Sequence, residues 1–313
     1  MSSYHRFCFI VLLAALALPA TAADPSPIDT AKIDEVTGLK GTMNQEEGVY
    51  KVSSPRADVT VTVDGGVLPP FMGLTSWAAF MADPKGGAMV MGDLVLLEDE
   101  VNPVMSALFE NGMTVTALHN HFFFSQPQVS FMHIGGQDTA DKLATGVRAA
   151  LDQVKAIRSK SPDVAKSFQH PALPATSSVT AEPLTAILGG KPATKDGMVK
   201  YTIGRSVTMP CGCSVGKEMG INTWAAFMGS DETSVVAGDV VMVAGELQPV
   251  LRALRASGIN VVAIHNHMVD ESPKLIYLHY WGVGKALDLA TSLKTALDAQ
   301  AAVTKADEKA DDK

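Results

Sequence analysis

Ala263-Ile264-His265-Asn266-His267 repeats, with one conservative change, an earlier stretch of the same chain, Ala117-Leu118-His119-Asn120-His121. Each copy is followed by a third histidine in an apolar run: His279 in Leu275-Ile276-Tyr277-Leu278-His279-Tyr280-Trp281, and His133 in Val129-Ser130-Phe131-Met132-His133-Ile134. The residue between the paired histidines sends both side chains to one face of a strand, because strand side chains alternate. A turn holding Pro273 or Pro127 then lets the third histidine return on a neighbouring strand. Three converging imidazoles are the ligand set of a catalytic zinc ion that keeps a fourth position open. The chain has eight histidines, and six of them stand in these two triads.

Extended outward, the match runs without a gap from Met91 to Asp152 against Ala237 to Asp298, with roughly two in five positions identical. It joins Gly92-Asp93 to Gly238-Asp239, and Glu100-Val101-Asn102-Pro103 to Glu246-Leu247-Gln248-Pro249. Upstream, with small offsets, Trp77-Ala78-Ala79-Phe80-Met81 matches Trp224-Ala225-Ala226-Phe227-Met228, and Arg56 matches Arg205. This is an internal duplication. In copy 2 the spacing predicts strands at 224–228 and 234–243, a helix at 246–255, strands at 260–267 and 274–281, and a second helix at 285–302. In copy 1, Val59 to Val63 alternates as a strand, with a looser counterpart at 199–209. The expected class is α+β: two similar units of mixed or antiparallel sheet with two helices each.

The ends and the join read differently. Residues 1–22 have the form of a signal peptide, with an apolar run from Phe7 to Leu18 and Ala20-Thr21-Ala22 at the cut. That run is too short to span a membrane, and no other segment is a candidate for a stable span. The expected location is therefore periplasmic or secreted. Repeat unit 1 is 23–158, a Pro- and Ser-rich linker follows at 159–183, repeat unit 2 is 184–302, and 303–313 is a charged tail expected to be disordered. The net charge of −8 argues against nucleic acid as a partner. There is no glycine-rich phosphate loop, serine elbow or dinucleotide fingerprint. Cys211-Gly212-Cys213 has no counterpart in copy 1 and reads as either a tight disulfide or a thiol pair.

The copies differ beside the histidines. Copy 2 continues Met268-Val269-Asp270-Glu271, where copy 1 has Phe122-Phe123-Phe124-Ser125. Glu271 reads as a fourth ligand or a general base on metal-bound water, or as a polar turn residue. Arg205 reads as a fork for a substrate anion or as a surface arginine. Glu100 and Glu246 complement helix starts, and Asp93 and Asp239 mark a bulge or orient a histidine from behind. Trp77, Phe80, Trp224 and Phe227 read as core. The metal triads are His265, His267, His279 and His119, His121, His133, the second being either live or vestigial. The cofactor expected is a divalent metal, with zinc first.

The chain resembles the LppY/LpqO family of exported bacterial proteins through Gly245-Glu246-Leu247-Gln248-Pro249-Val250-Leu251-Arg252-Ala253-Leu254, Val262-Ala263-Ile264-His265-Asn266-His267-Met268 and Leu278-His279-Tyr280-Trp281-Gly282. That resemblance implies export but carries no reaction; familiar members are lipoproteins, whereas Cys8 here precedes most of the apolar run. The histidine spacing is also similar to that of acetolactate decarboxylase, which holds zinc with a His-x-His pair and a third histidine in a duplicated α+β fold. This second likeness implies that Glu271 and Arg205 stand for the glutamate and arginine beside that metal. The function expected is an exported metal-binding protein, as a metal-dependent hydrolase or lyase on a small carboxylate or ester substrate. The alternatives are a metal buffer without turnover and a structural module whose histidines are core.

Overall fold

The computed structural model describes residues 28–168 and 170–311; residues 1–22, read above as a signal peptide, lie outside them. Twelve strands form one sheet. In copy 1 these are Thr42–Asn44 (β1), Val49–Pro55 (β2), Thr75–Ala82 (β3), Ala88–Leu97 (β4), Thr114–His119 (β5) and Val129–Asp138 (β6). Copy 2 supplies Ala193–Lys195 (β7), Met198–Gly204 (β8), Asn222–Gly229 (β9), Ser234–Met242 (β10), Asn260–His265 (β11) and Ile276–Gly284 (β12). The spatial order is β1-β2-β3-β4-β6-β5-β11-β12-β10-β9-β8-β7, so each half reads as the reverse of the other. The halves meet where β5 pairs antiparallel with β11, with Leu118 opposite Ile264. The duplication thus gives one continuous α+β sheet, and all of its ladders are antiparallel.

Six helices cover one face: Thr30–Thr37 (α1), Glu98–Glu110 (α2), Ala140–Lys160 (α3), Ala181–Leu188 (α4), Ala244–Ala256 (α5) and Ala286–Asp311 (α6). Their apolar stripes and the facing strand positions make a single core that runs through both copies, from Ile33 and Val104 to Leu251 and Leu293. Each copy therefore has three helices rather than two. The extra one is a short helix, α1 or α4, held by a buried Ile33 or Leu184 against this core. Because α4 begins at Ala181, the stretch between helices is shorter than the expected linker.

Local chemistry accounts for the helix starts. The carboxylate of Glu246 accepts the Val243 N–H at 2.9 Å, and that of Glu100 accepts the Leu97 N–H at 2.8 Å, each satisfying a donor that has no partner within the helix. Gly258, with φ of 77°, supplies the turn that ends α5. Pro249 and Pro103 lie inside their helices, beyond the first turn.

Several expectations are corrected. The strand that pairs with β3 is Val49–Pro55; of residues 59–63 only Thr62–Val63 is extended and paired, in a small separate sheet. Phe80 and Phe227 are core, but Trp77 and Trp224 are only half-buried, under the ammonium groups of Lys51 and Lys200. The tail expected to be disordered continues α6 to Asp311. Within that helix, Thr304 donates to Glu246 at 2.8 Å and Gln300 donates to Glu246 at 2.9 Å, which tie this stretch of α6 to the start of α5.

The join between copies is reinforced by paired amides. Asn102 on α2 donates to the Val261 carbonyl at 3.1 Å and accepts the Val261 N–H at 2.8 Å. Its counterpart Gln248 on α5 does the same for Val115, at 2.7 and 3.2 Å. Val115 and Val261 stand where bulges interrupt β5 and β11, so each helix repairs the broken ladder of the other copy.

Candidate metal centre

Strand register places the histidines. His279 on β12 faces Ala263 on β11 and Asp239 on β10, while His265 faces Tyr277. His133 on β6 likewise faces Ala117 and Asp93, and His119 faces Phe131. Leu118 and Ile264 point into the helix-covered core, so their neighbours His119, Ala263 and His265 point to the opposite face. Both triads therefore lie on the sheet face away from the helices. Small apolar clusters flank them there: Val61, Leu74, Val95 and Phe131 in copy 1, and Val207, Ile221, Val241 and Tyr277 in copy 2.

His267 lies just past the end of β11. The turn that carries it is closed by Asn266, whose amide donates to the Met268 carbonyl at 2.6 Å. Its ring stacks on Tyr277, with centroids 3.4 Å apart, as His121 stacks on Phe131 at 3.3 Å. His265 has the His267 ring 5.1 Å away and the His279 ring 4.8 Å away. In copy 1, His119 has His121 at 5.2 Å and His133 at 5.1 Å. The six histidine rings therefore lie near one another copy by copy, but in neither copy do the ligand atoms of the three histidines expected from the sequence form the tightest set.

The tightest group is a different three. Ligand atoms of Asp239, His265 and His267 all lie within 4.8 Å of one another, and among the described residues no other set of three or more acid, histidine or cysteine side chains converges so closely. Asp239 is 3% exposed, and its Oδ2 lies 3.5 Å from His267 Nε2. Asp239 Oδ1 and His265 Nδ1 are buried without a hydrogen-bond partner. Such orphaned atoms are costly unless something bonds them, and a divalent cation would do so. His279 stands beside this group with Nδ1 3.2 Å from the Gly238 carbonyl. A carbonyl can only accept, so Nδ1 carries the proton and Nε2 is the nitrogen free for a metal.

The electrostatics suit ligation. Burial, then the neighbouring His279 and His267, push the His265 imidazole down to about 4, so it is neutral at neutral pH. Burial pushes the Asp239 carboxyl up, while His279 and His267 pull it back. Burial, then Asp239 and Glu271, push the Tyr277 phenol up to about 12.

Sequence reasoning gave Asp239 only an orienting or bulge role, whereas here it is a candidate ligand. The signal was present: a carboxylate after glycine, inside an apolar strand, in both copies. There is no bulge at this point, since register is continuous on both sides of Asp239. Gly238 is needed because a Cβ there would collide with the Trp224 carbonyl and the Tyr280 hydroxyl.

Two other predicted residues are differently employed. Arg205 gives its fork to Glu246, at 2.6 and 3.0 Å. It is the counterpart of Arg56, which grips Glu100 at 2.7 and 3.1 Å. Burial pushes the Glu246 carboxyl up, but bonds from Arg205, Gln300, Val243 and Thr304 outweigh that and hold it below its usual range. Arg205 is thus committed to a structural ion pair. Glu271 is buried, with Oε1 accepting the Leu275 N–H at 2.9 Å and Oε2 without a partner, and it does not join the converging ligand atoms. Cys211 and Cys213 are joined as a disulfide.

No curated protein matches the chain. Among solved structures, a trimeric bacterial microcompartment shell protein, PduB, is similar over 83% of this chain and 89% of its own, at 10% identity and a TM-score of 0.20; so low a score carries no argument. The profile of a domain of unknown function, DUF1259, matches twice, at residues 31–153 and 182–299. Those two matches are the two copies whose strands meet at β5 and β11, and by them the chain belongs to the DUF1259 family.

Proposed function

We propose that this chain is an exported protein that binds a divalent metal, zinc first, at the copy 2 centre. Asp239, His265 and His267 would be its protein ligands, and His279 would stand alongside. The observation that carries this reading is the convergence of these ligand atoms within 4.8 Å while two of the buried polar atoms in the group lack any partner. Carboxylate and neutral imidazole are the donor types zinc takes, and three of them leave a position open.

The chemistry this centre fits is hydrolysis or lyase-type cleavage of a small carboxylate or ester. The metal would supply Lewis acidity to a carbonyl or lower the pKa of bound water. Since Arg205 is engaged by Glu246, the substrate anion would be held at the metal rather than by an arginine. Proton handling falls to Glu271 through its unpartnered Oε2.

Elemental analysis of the purified full chain tests the binding. About one metal per chain is expected at this centre, lost in Asp239→Asn and His267→Ala; retention of metal by both variants would refute the assignment. The competing reading is a metal buffer, in which buried Asp239 anchors the ion and nothing is turned over. Steady-state assays of the zinc-loaded protein on small activated esters separate the two: turnover that disappears in Asp239→Asn supports the enzyme, and full occupancy without turnover supports the buffer.

A further inference from the structure

Cys211-Gly212-Cys213 forms the tip of a small hairpin in which Val207–Thr208 pairs with Ser214–Val215. The base of this hairpin is fixed. Val207 is buried in the same apolar cluster as Tyr277, and Thr208 and Ser272 exchange backbone hydrogen bonds at 3.1 and 2.9 Å. The tip is closed by backbone alone: the Met209 N–H donates to the Cys213 carbonyl at 2.9 Å, and the Gly212 N–H donates to the Met209 carbonyl at 2.8 Å. Copy 1 builds the same hairpin without sulfur. There Val61 is buried, Thr62 faces Gln126 as Thr208 faces Ser272, and the turn is Asp64-Gly65, with φ of 50° and 81°. A disulfide that closes so short a segment also constrains the unfolded chain least. The hairpin therefore has no structural need of the Cys211–Cys213 bond.

What the bond does have is access and polarity. Both cysteines are exposed, and a side chain placed on Gly212 between them would meet nothing within 4 Å, so the tip is open to an incoming sulfur nucleophile. The Cys213 N–H points at Cys211 Sγ, 3.3 Å away, whereas among the described residues none donates to Cys213 Sγ. A donor so placed holds negative charge on one sulfur of the pair and not on the other.

We propose that Cys211–Cys213 is a thiol–disulfide exchange site that oxidises a dithiol, independently of the metal centre. A substrate thiolate attacks Cys213 Sγ, the Cys211–Cys213 bond breaks, and its electron pair goes to Cys211 Sγ, where the Cys213 N–H holds the charge. The second substrate thiolate then attacks the substrate sulfur of this mixed disulfide. The substrate disulfide closes and Cys213 leaves as a thiolate, so two electrons have passed from the dithiol to the pair and the two protons lost by the substrate thiols balance the two thiolates. A small disulfide such as oxidised glutathione reverses the sequence, returning the pair to its oxidised form and itself becoming two thiols. Such exchange is governed by access to the attacked sulfur and by the stability of the thiolate that leaves.

The test uses the full chain carrying Cys8→Ser, so that Cys211 and Cys213 are its only cysteines. Mixed with a fluorescent peptide dithiol, each chain should yield one peptide disulfide and two new alkylatable thiols. With oxidised glutathione in excess, peptide oxidation should run at least about tenfold faster than with glutathione alone, and fall to that background in Cys211→Ser and in Cys213→Ser. A mixed disulfide with reduced glutathione, trapped by acid and located by mass spectrometry, should lie on Cys213. Removing both cysteines should leave the urea midpoint unchanged. Oxidation no faster than glutathione alone overturns the proposal, and so does a mixed disulfide on Cys211. A pair that resists the peptide dithiol, with a lowered urea midpoint in the double serine variant, makes the bond a structural one and overturns it as well.

Discussion

His265 shows how one side chain ties the site to acid stability. Its folded-state value of about 4 lies below the unfolded value of about 6.5. Between those two points the unfolded chain binds the proton first, so stability is present above pH 6.5 and is lost as pH falls towards 4. The expected result is a falling thermal midpoint of the metal-free protein across that window, with a smaller fall in His265→Asn; an unchanged slope in the variant would contradict it. Asp239 acts in the opposite sense. Its buried carboxyl is raised, so its charge weighs against the metal-free fold at neutral pH. Asp239→Asn should accordingly melt a few degrees higher than wild type without metal, yet gain nothing from added zinc. Wild type should gain about 2.7 kcal/mol at a hundredfold excess over Kd.

At the scale of elements, two polar devices decide whether the sheet presents its histidines. The Arg205–Glu246 pair locks the end of β8 onto the start of α5, with Glu246 fully buried and Arg205 partly exposed. Arg205→Ala would strand that carboxylate, at a cost of about 3 kcal/mol. Denaturant unfolding should show the loss while metal content is unchanged, and loss of ester turnover without loss of stability would instead restore Arg205 as a substrate anchor. The second device is the amide bridge. Asn102→Ala leaves the N–H and C=O of Val261 unpaired in a buried place, at about 1–3 kcal/mol for each group left unsatisfied. The urea midpoint should fall more for Asn102→Ala than for Gln248→Ala, because Gln248 is only half-buried. Equal and negligible shifts would mean that water replaces both amides.

At the scale of the whole molecule, the shared core and the joined sheet lead us to expect one cooperative folding unit. One core runs under all six helices, and a half chain would leave β5 or β11 as a bare edge with its bulge unrepaired. Residues 28–160 and 178–311 expressed separately should each be insoluble or loosely packed. Expressed together, they should recover the far-ultraviolet spectrum and the metal content of the intact chain. Independent cooperative melting of either half would show that the copies are domains after all.

What the sequence by itself determined is periodic or repeated. The His-Asn-His stretches, the Gly-Asp pairs and the Glu-x-Asn/Gln-Pro motifs recur at a fixed spacing, so the duplication, the α+β class and the clustering of histidines by copy were legible before any coordinates. The strand with the third histidine could be placed because alternation leaves only one face for His279 once Leu278 and Tyr280 are buried. What only the tertiary structure decided concerns partners far apart in the chain. The Gly-Asp pair marks Asp239 as unusual, but its convergence on His265 and His267 is set by strand register across β10, β12 and β11. The engagement of Arg205 by Glu246, the hold of Thr304 on the last helix and the reach of Asn102 to Val261 are likewise long-range pairings. The joining of two sheets into one follows from β5 and β11 each having an unpaired edge, and a repeated sequence makes those edges identical without saying that they meet.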